Sequence, residues 1–194
     1  MRLTRSLVAV CCCVALASCD NTTSPEPAPA AVPDLHFRHF GPTSFGVGAG
    51  RFAIGELSVR YFFSGLLFGN GSAIGSFYHS VDLGEGERAE FVSKVTCLAF
   101  DPANGRAWFG GVILKNNSTA GSGFAGTIHQ PGKDIWFRVL DTGQSADPDR
   151  STFVGFEGSA GFTTSAEYCQ GKPWPDLNAR TNAITQGEIV LKAH

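Results

Sequence analysis

The alternation of apolar and polar residues predicts a chain of β-strands joined by short glycine-rich or acidic turns. The clearest case is the stretch 91–115, which reads as two long strands around the turn Asp101-Pro102-Ala103-Asn104-Gly105. One face of its first strand is small and free of charge, so we expect this face to point into the core. Its members are Phe91, Ser93, Val95, Cys97 and Ala99. The second strand is apolar on both faces, which predicts a strand covered on both sides or the wall of a barrel.

The rest of the chain repeats this pattern without any sustained helical periodicity. Further strands are predicted at residues 35–40, 51–60, 72–81, 124–129, 135–141, 151–157 and 186–194. Asn70-Gly71 marks a hairpin turn, residues 62–68 read as a turn or one helical turn, and residues 158–183 read as irregular. The pattern predicts an all-β fold, a single antiparallel β-barrel of about eight strands, with a β-sandwich as the alternative. The barrel is preferred because the last strand could pair with the first and remove both edges.

The N-terminus has the features of an export signal. Arg2 and Arg5 precede an apolar run at residues 7–17 that is too short to span a bilayer. The run ends in Leu16-Ala17-Ser18-Cys19, which resembles the lipobox of bacterial lipoproteins at all four positions. An ordinary secretory signal followed by an unrelated cysteine is the alternative.

The lipoprotein resemblance implies three segments and a location. Residues 1–18 would be a signal peptide cleaved before Cys19, whose sulfur would carry a diacylglyceryl group and whose new amino group would be acylated. Residues 19–34 are rich in proline and would form a spacer that reaches roughly 40 Å in extended form. Residues 35–194 would form the β-domain. We therefore expect a lipid anchor in the cell membrane or outer membrane, with the domain exposed to the periplasm or the cell exterior.

Composition and charge narrow the classes of partner. Hydrophobic residues make up 43% of the chain, which is enough for a packed core. Two of the 15 basic residues lie in the signal peptide, so the mature chain has 13 basic and 17 acidic residues. This balance argues against nucleic acid as a partner, because nucleic-acid binding normally needs a basic face. The membrane, through the lipid anchor, is the partner that the sequence indicates.

Two cysteines remain once the signal peptide and Cys19 are set aside. Cys97 and Cys169 are an isolated pair in an exported, oxidising setting, which favours a disulfide. A reactive thiol or half of a metal site is the alternative.

Several segments resemble a family of exported bacterial proteins of unknown function. They are VTCLAF and NGRAWFGGVI in the 91–115 stretch, WFRVLDTGQSADPD, a late cysteine and the terminal ITQGEIVLKAH. Members of that family carry a Val-Thr-Cys-Leu strand, an Ile-Gly-Gly strand and a final Gly-Asn-Ile-x-Val-His. The resemblance covers about residues 48–194, and the chain departs from the family pattern at Trp108-Phe109, Gln144 and Glu188. It implies export and the fold but supplies no chemistry.

No catalytic motif stands out. The sequence has no GxSxG, HExxH or paired CxxC, and the GxGxxG at residues 121–126 precedes a predicted strand instead of a helix. His79 with Asp82 or Glu85 is the best arrangement for an enzyme. His79 and His129 are otherwise expected as wall or surface residues, so no catalytic residue is assigned.

Two binding hypotheses remain beside a structural or binding role in the cell envelope. Asp141, Gln144, Asp147 and Asp149 offer oxygen ligands of the kind that Ca²⁺ prefers, although the spacing is not that of an EF-hand. Asp141, Asp147 and Asp149 are thus weak candidates for a metal site, with a solvated acidic loop as the alternative. Strands apolar on both faces would also suit a barrel that binds an apolar small molecule. We expect Trp108, Phe109 and Trp136 to line such a cavity.

Overall fold

Long antiparallel strands that pair in sequence order form most of the molecule. The computed structural model describes residues 41–143, 145–178 and 180–193, so the predicted signal peptide, Cys19, the spacer and the predicted strand 35–40 lie outside the described residues. Nine strands occur within the described ranges. They are β1 Pro42–Ile54, β2 Leu57–Phe68, β3 Ala73–Gly84, β4 Glu87–Asp101, β5 Arg106–Asn116, β6 Asp134–Leu140, β7 Arg150–Ser151, β8 Gly155–Phe156 and β9 Asn182–Ala193. One α-helix, α1, spans Ser165–Gly171. Short 3₁₀ helices occupy Pro102–Asn104, Thr127–His129 and Ser159–Gly161.

The strands form one antiparallel sheet that closes in a ring. The order is β5-β4-β3-β2-β1-β9-β7-β6-β8, and β5 also pairs with β6. The predicted all-β fold is confirmed, and the final strand pairs with β1, Val47 lying opposite Val190. The first predicted strand, 35–40, lies outside the described residues. Closure removes the open edges at which other chains could add a strand.

The interior of the ring is filled by aromatic side chains from alternate positions. Phe63, Phe77, Phe109 and Phe137 are each at most 1% exposed. The ring centroid of Phe109 lies 4.7 Å from that of Phe63 and 5.0 Å from that of Phe137. Glycines on the neighbouring strands make room for these rings. A Cβ atom at Gly48 would lie 2.5 Å from Phe63, and one at Gly65 would lie 2.8 Å from Phe109.

A β-bulge changes which face of β4 points inward. The predicted inward set is correct for Phe91, Ser93 and Val95, but the register with β5 shifts between Val95 and Cys97. The bulge adds one residue, so the alternation reverses beyond it. Cys97 and Ala99 therefore pack outside the ring beneath α1, whereas Leu98 joins the interior.

Five other local predictions are wrong. Residues 124–129 form a loop with a 3₁₀ helix instead of a strand, and residues 151–157 contain only the short β7 and β8. The predicted strand 51–60 is two strands, because Gly55 adopts a left-handed φ of 57° in a turn at its centre. Residues 62–68 extend β2 instead of forming a turn. The region expected to be irregular contains α1, which begins at a capping box formed by Thr164 and Glu167.

Candidate functional site

The predicted disulfide is present and fixes α1 on the outside of the ring. Cys97 of β4 is bonded to Cys169 of α1, with their Cα atoms 6.2 Å apart. The bond spans 72 residues of sequence. It joins the helix to the apolar outer faces of β4 and β5, which makes β5 a strand covered on both sides, as its sequence predicts.

The three aromatic residues expected to line one cavity lie on opposite faces of the sheet. Phe109 points into the ring, where other phenylalanines surround it. Trp108 and Trp136 point outward and pack against Tyr168 and Cys169 of α1. The indole Nε1 of Trp108 donates to the carbonyl oxygen of Pro173 at 3.0 Å. These three side chains therefore do not form a common cavity wall, although Trp136 lines a separate pocket outside the ring.

The arrangement considered for an enzyme is not assembled. His79 points inward and is fully buried, whereas Asp82 points outward and Glu85 lies in the exposed turn after β3. Neither ring nitrogen of His79 has a hydrogen-bond partner among the described residues. Burial lowers the pKa of His79 from its ordinary value to about 3, so the ring is neutral near pH 7. His129 also packs among aromatic rings, its centroid 4.4 Å from that of Phe156.

Two aspartates of the acidic loop, Asp141 and Asp149, hold this loop against β9 through hydrogen bonds. The carboxylate of Asp149 accepts hydrogen bonds from the backbone N–H groups of Thr142 at 2.9 Å and Ile189 at 2.7 Å. The carboxylate of Asp141 accepts from the N–H groups of Gly143 and Leu191. Asp147 contributes its backbone carbonyl, which accepts from the hydroxyl of Thr142. Within the described ranges, no three His, Cys, Asp or Glu side chains are placed to hold a metal ion together.

A buried arginine organises the segment that follows α1, and sequence reasoning missed it. Arg138 is 1% exposed on the outer face of β6. Its guanidinium donates to the carbonyl oxygens of Trp174 and Leu177, the latter at 2.6 Å. Backbone carbonyls thus replace the carboxylate that usually accompanies a buried arginine. The position of Arg138 among apolar residues in WFRVL was the available signal, but it did not identify the partner.

Beside this segment lies a pocket of about 270 Å³, which we call the aromatic pocket. Its lining is Trp136, Thr152, Phe153, Val154, Gly155, Ser159, Ala160, Tyr168, Trp174 and Arg180. The rings of Trp136 and Tyr168 are stacked with centroids 5.5 Å apart. Burial raises the pKa of Tyr168 above its ordinary value, and the nearby charge of Arg138 opposes that rise. Of the residues singled out in the sequence, only Trp136 belongs to this pocket.

A second surface feature, the apolar outer face, lies on β1, β2 and β3. It consists of Phe45, Val47, Phe62, Leu66 and Ile74. Phe62 is 45% exposed and Ile74 is 53% exposed. Four of the five side chains border a shallow groove of about 300 Å³. Contiguous exposed apolar side chains of this kind often mark contact surfaces.

Comparison with known proteins identifies no relative. No family model matches the chain, and no curated protein or solved structure matches it. Among the described residues, no helix has the length and apolar character needed to cross a membrane.

Proposed function

We propose that this protein is a lipid-anchored domain of the bacterial cell envelope whose role is binding. The motif Leu16-Ala17-Ser18-Cys19 supports the anchor and the export. The proline-rich residues 19–34 would hold the domain away from the membrane surface.

The binding role rests on a contrast between the interior of the ring, which side chains fill, and its exterior, which offers two apolar surfaces. Phenylalanine side chains occupy the centre of the ring of strands. The centroids of the Phe77 and Phe137 side chains are 5.1 Å apart. An apolar ligand inside the ring would have to displace them. Outside the ring, the apolar outer face and the aromatic pocket both present apolar surface. This contrast favours binding on the exterior over the alternative of an interior cavity.

Binding is also better supported than catalysis. A general base needs contact with its substrate, but His79 is fully buried among Tyr61, Phe77 and Phe137. The carboxylates of Asp141 and Asp149 are engaged by backbone N–H groups. These groups support the fold.

The anchor is tested by replacing the cysteine that would carry the lipid. In bacteria expressing the full-length chain, we expect Cys19→Ala to remove the protein from the membrane fraction and to abolish incorporation of labelled palmitate. Cys13→Ala is the matched control, because it removes a cysteine from the signal peptide and should leave both readouts unchanged. Continued membrane association and labelling of the Cys19→Ala protein would refute the proposed anchor.

A further inference from the structure

The aromatic pocket is lined by residues from four separate parts of the chain. Trp136 comes from β6, Gly155 from β8 and Tyr168 from α1, while Trp174 and Arg180 belong to the segment between α1 and β9. A Cβ atom at residue 155 would lie 2.4 Å from Nε1 of Trp136. Glycine at this position is therefore required for the backbone to approach the indole and shape the wall.

The walls of the pocket are held in place before any ligand arrives. The guanidinium of Arg138 fixes the carbonyl groups of Trp174 and Leu177, and the disulfide at Cys169 holds α1, which carries Tyr168, against β4. Ala160 and Trp174 adopt left-handed φ angles of 58° and 55°. A non-glycine residue is strained in this conformation. Both strained residues line the same pocket, and strain of this kind concentrates at functional sites.

Arg180 is the only charged residue among the described residues that line the aromatic pocket. Arg180 lies over the ring of Trp174, with its guanidinium carbon 4.5 Å from the ring centroid. This stacking leaves the N–H groups at the edge of the guanidinium free to bond an anion. The lining contains no acidic residue, and no ion pair involving Arg180 is seen in residues 41–143, 145–178 and 180–193. Arg138 adds a second positive charge behind the wall.

Two of the three hydroxyl groups in the lining, those of Thr152 and Ser159, already accept a backbone hydrogen bond. Thr152 Oγ1 accepts a hydrogen bond from the backbone N–H of Arg138 at 2.9 Å. Ser159 Oγ accepts from the N–H of Phe156 at 3.0 Å. A sugar needs many hydrogen-bond partners, and this lining offers few. The remaining surface is aromatic or aliphatic, so it suits a flat apolar ring.

We propose that the aromatic pocket binds a small aromatic carboxylate, with the ring in contact with Trp174 and the carboxylate on Arg180. A guanidinium and a carboxylate can form two parallel hydrogen bonds, which would orient the ligand. The volume of about 270 Å³ lies just below the range for drug-sized ligands, which indicates a compound with a single ring. This inference deepens the binding role proposed above by naming a ligand class.

The test is a titration of the purified full-length chain in detergent with benzoate, followed by tryptophan fluorescence. We expect a saturable change, because Trp136 and Trp174 line the pocket. Arg180→Gln should weaken binding by about tenfold or more, because a charge-assisted contact is lost. Arg51→Gln is the matched control, since it removes an exposed arginine from β1 and should leave the affinity unchanged.

A second pair of variants separates the loss of the ring from a change in the backbone. Trp174→Gly removes the indole and places glycine where φ is positive, so it should abolish binding without unfolding the domain. Ala160→Gly makes the same backbone change without removing a ring and should bind benzoate like the parent protein. Thermal melting of both variants confirms that they are folded.

Probe compounds distinguish the parts of the proposal. Benzamide lacks the charge and cyclohexanecarboxylate lacks the aromatic ring, so both should bind at least tenfold more weakly than benzoate. Equal binding of either compound would overturn the corresponding half of the proposal. Saturation by glucuronate but not benzoate would show a sugar acid as the ligand class and refute the aromatic one. If no compound produces a saturable change while Cys19 still anchors the chain, the pocket proposal fails and the lipid anchor stands.

Discussion

His79 of β3 lies directly opposite Tyr61 of β2 inside the ring, with the centroids of the two side chains 6.4 Å apart. Tyr61 Oη and both ring nitrogens of His79 are without hydrogen-bond partners among the described residues. The ring of His79 also packs edge-on against Phe137, with centroids 4.8 Å apart. A polar side chain is thus held at the centre of an aromatic core, where gaining a proton is costly.

This placement predicts that stability falls in mild acid through His79. Its pKa is about 3 in the folded protein and about 6.5 in an unfolded chain. The unfolded state therefore binds more protons between these values, and the stability present above pH 6.5 is lost as the pH falls towards 3. Between pH 6.5 and 4.5 this one group should account for about 2 kcal/mol of the loss.

The variant His79→Leu tests this dependence by urea unfolding at the two pH values. We expect its free energy of unfolding to change less between pH 6.5 and 4.5 than that of the parent protein. Ile184→Val is the control, because it removes a methyl group from a buried side chain of β9 and should lower stability at both pH values while keeping the parent's dependence. Parallel pH profiles for the parent protein and His79→Leu would contradict the prediction.

The disulfide predicts a large contribution to stability. A cross-link between residues 72 apart in sequence should stabilise the folded state by roughly 4 kcal/mol, through the entropy of the unfolded chain. The double variant Cys97→Ala/Cys169→Ala should therefore unfold at a lower urea concentration than the parent protein. Adding reductant should shift the parent protein towards the variant and leave the variant unchanged. An identical midpoint for the oxidised parent and the double variant would rule out this contribution.

The hydrogen bonds of Arg138 to the segment after α1 predict that replacing this arginine loosens that segment locally. In Arg138→Met the hydrogen bonds to the carbonyl oxygens of Trp174 and Leu177 are lost, at a cost of about 3 kcal/mol. We expect limited proteolysis to cut near residues 173–178 much faster than in the parent protein. Arg60→Met, which removes an exposed arginine from β2, should leave the cutting rate unchanged. The idea fails if both variants are cut at the rate of the parent.

Period-two alternation was enough to predict β3, a strand that faces water on one side. The faces of β3 follow the sequence directly, with Phe77 and His79 inside and Tyr78 outside. The bulge after Val95 could not be predicted from alternation, because the residues on either side of it fit either face of the strand. Its effect was to misplace Cys97, although the disulfide itself was predicted correctly from the number of cysteines.

Neither α1 nor the aromatic pocket could be predicted, because the sequence signals for them are too short or too far apart along the chain. The capping box Thr164–Glu167 was visible in the sequence, but seven residues give too little periodicity to predict a helix. The pocket joins Trp136 to Trp174 and Arg180 across about forty residues. Nothing local to Arg138 indicates that its partners are carbonyl groups in the segment after α1.

The position of β1 in the ring also determines how the domain responds to mechanical load. β1 is hydrogen-bonded along both edges, to β2 from Pro42 to Ile54 and to β9 from Ser44 to Phe52. A pull applied at Gly41 along the strand would act in shear on both ladders together. Many backbone hydrogen bonds would share the force instead of opening one after another, so the domain should resist extraction from the end at which a lipid would hold it.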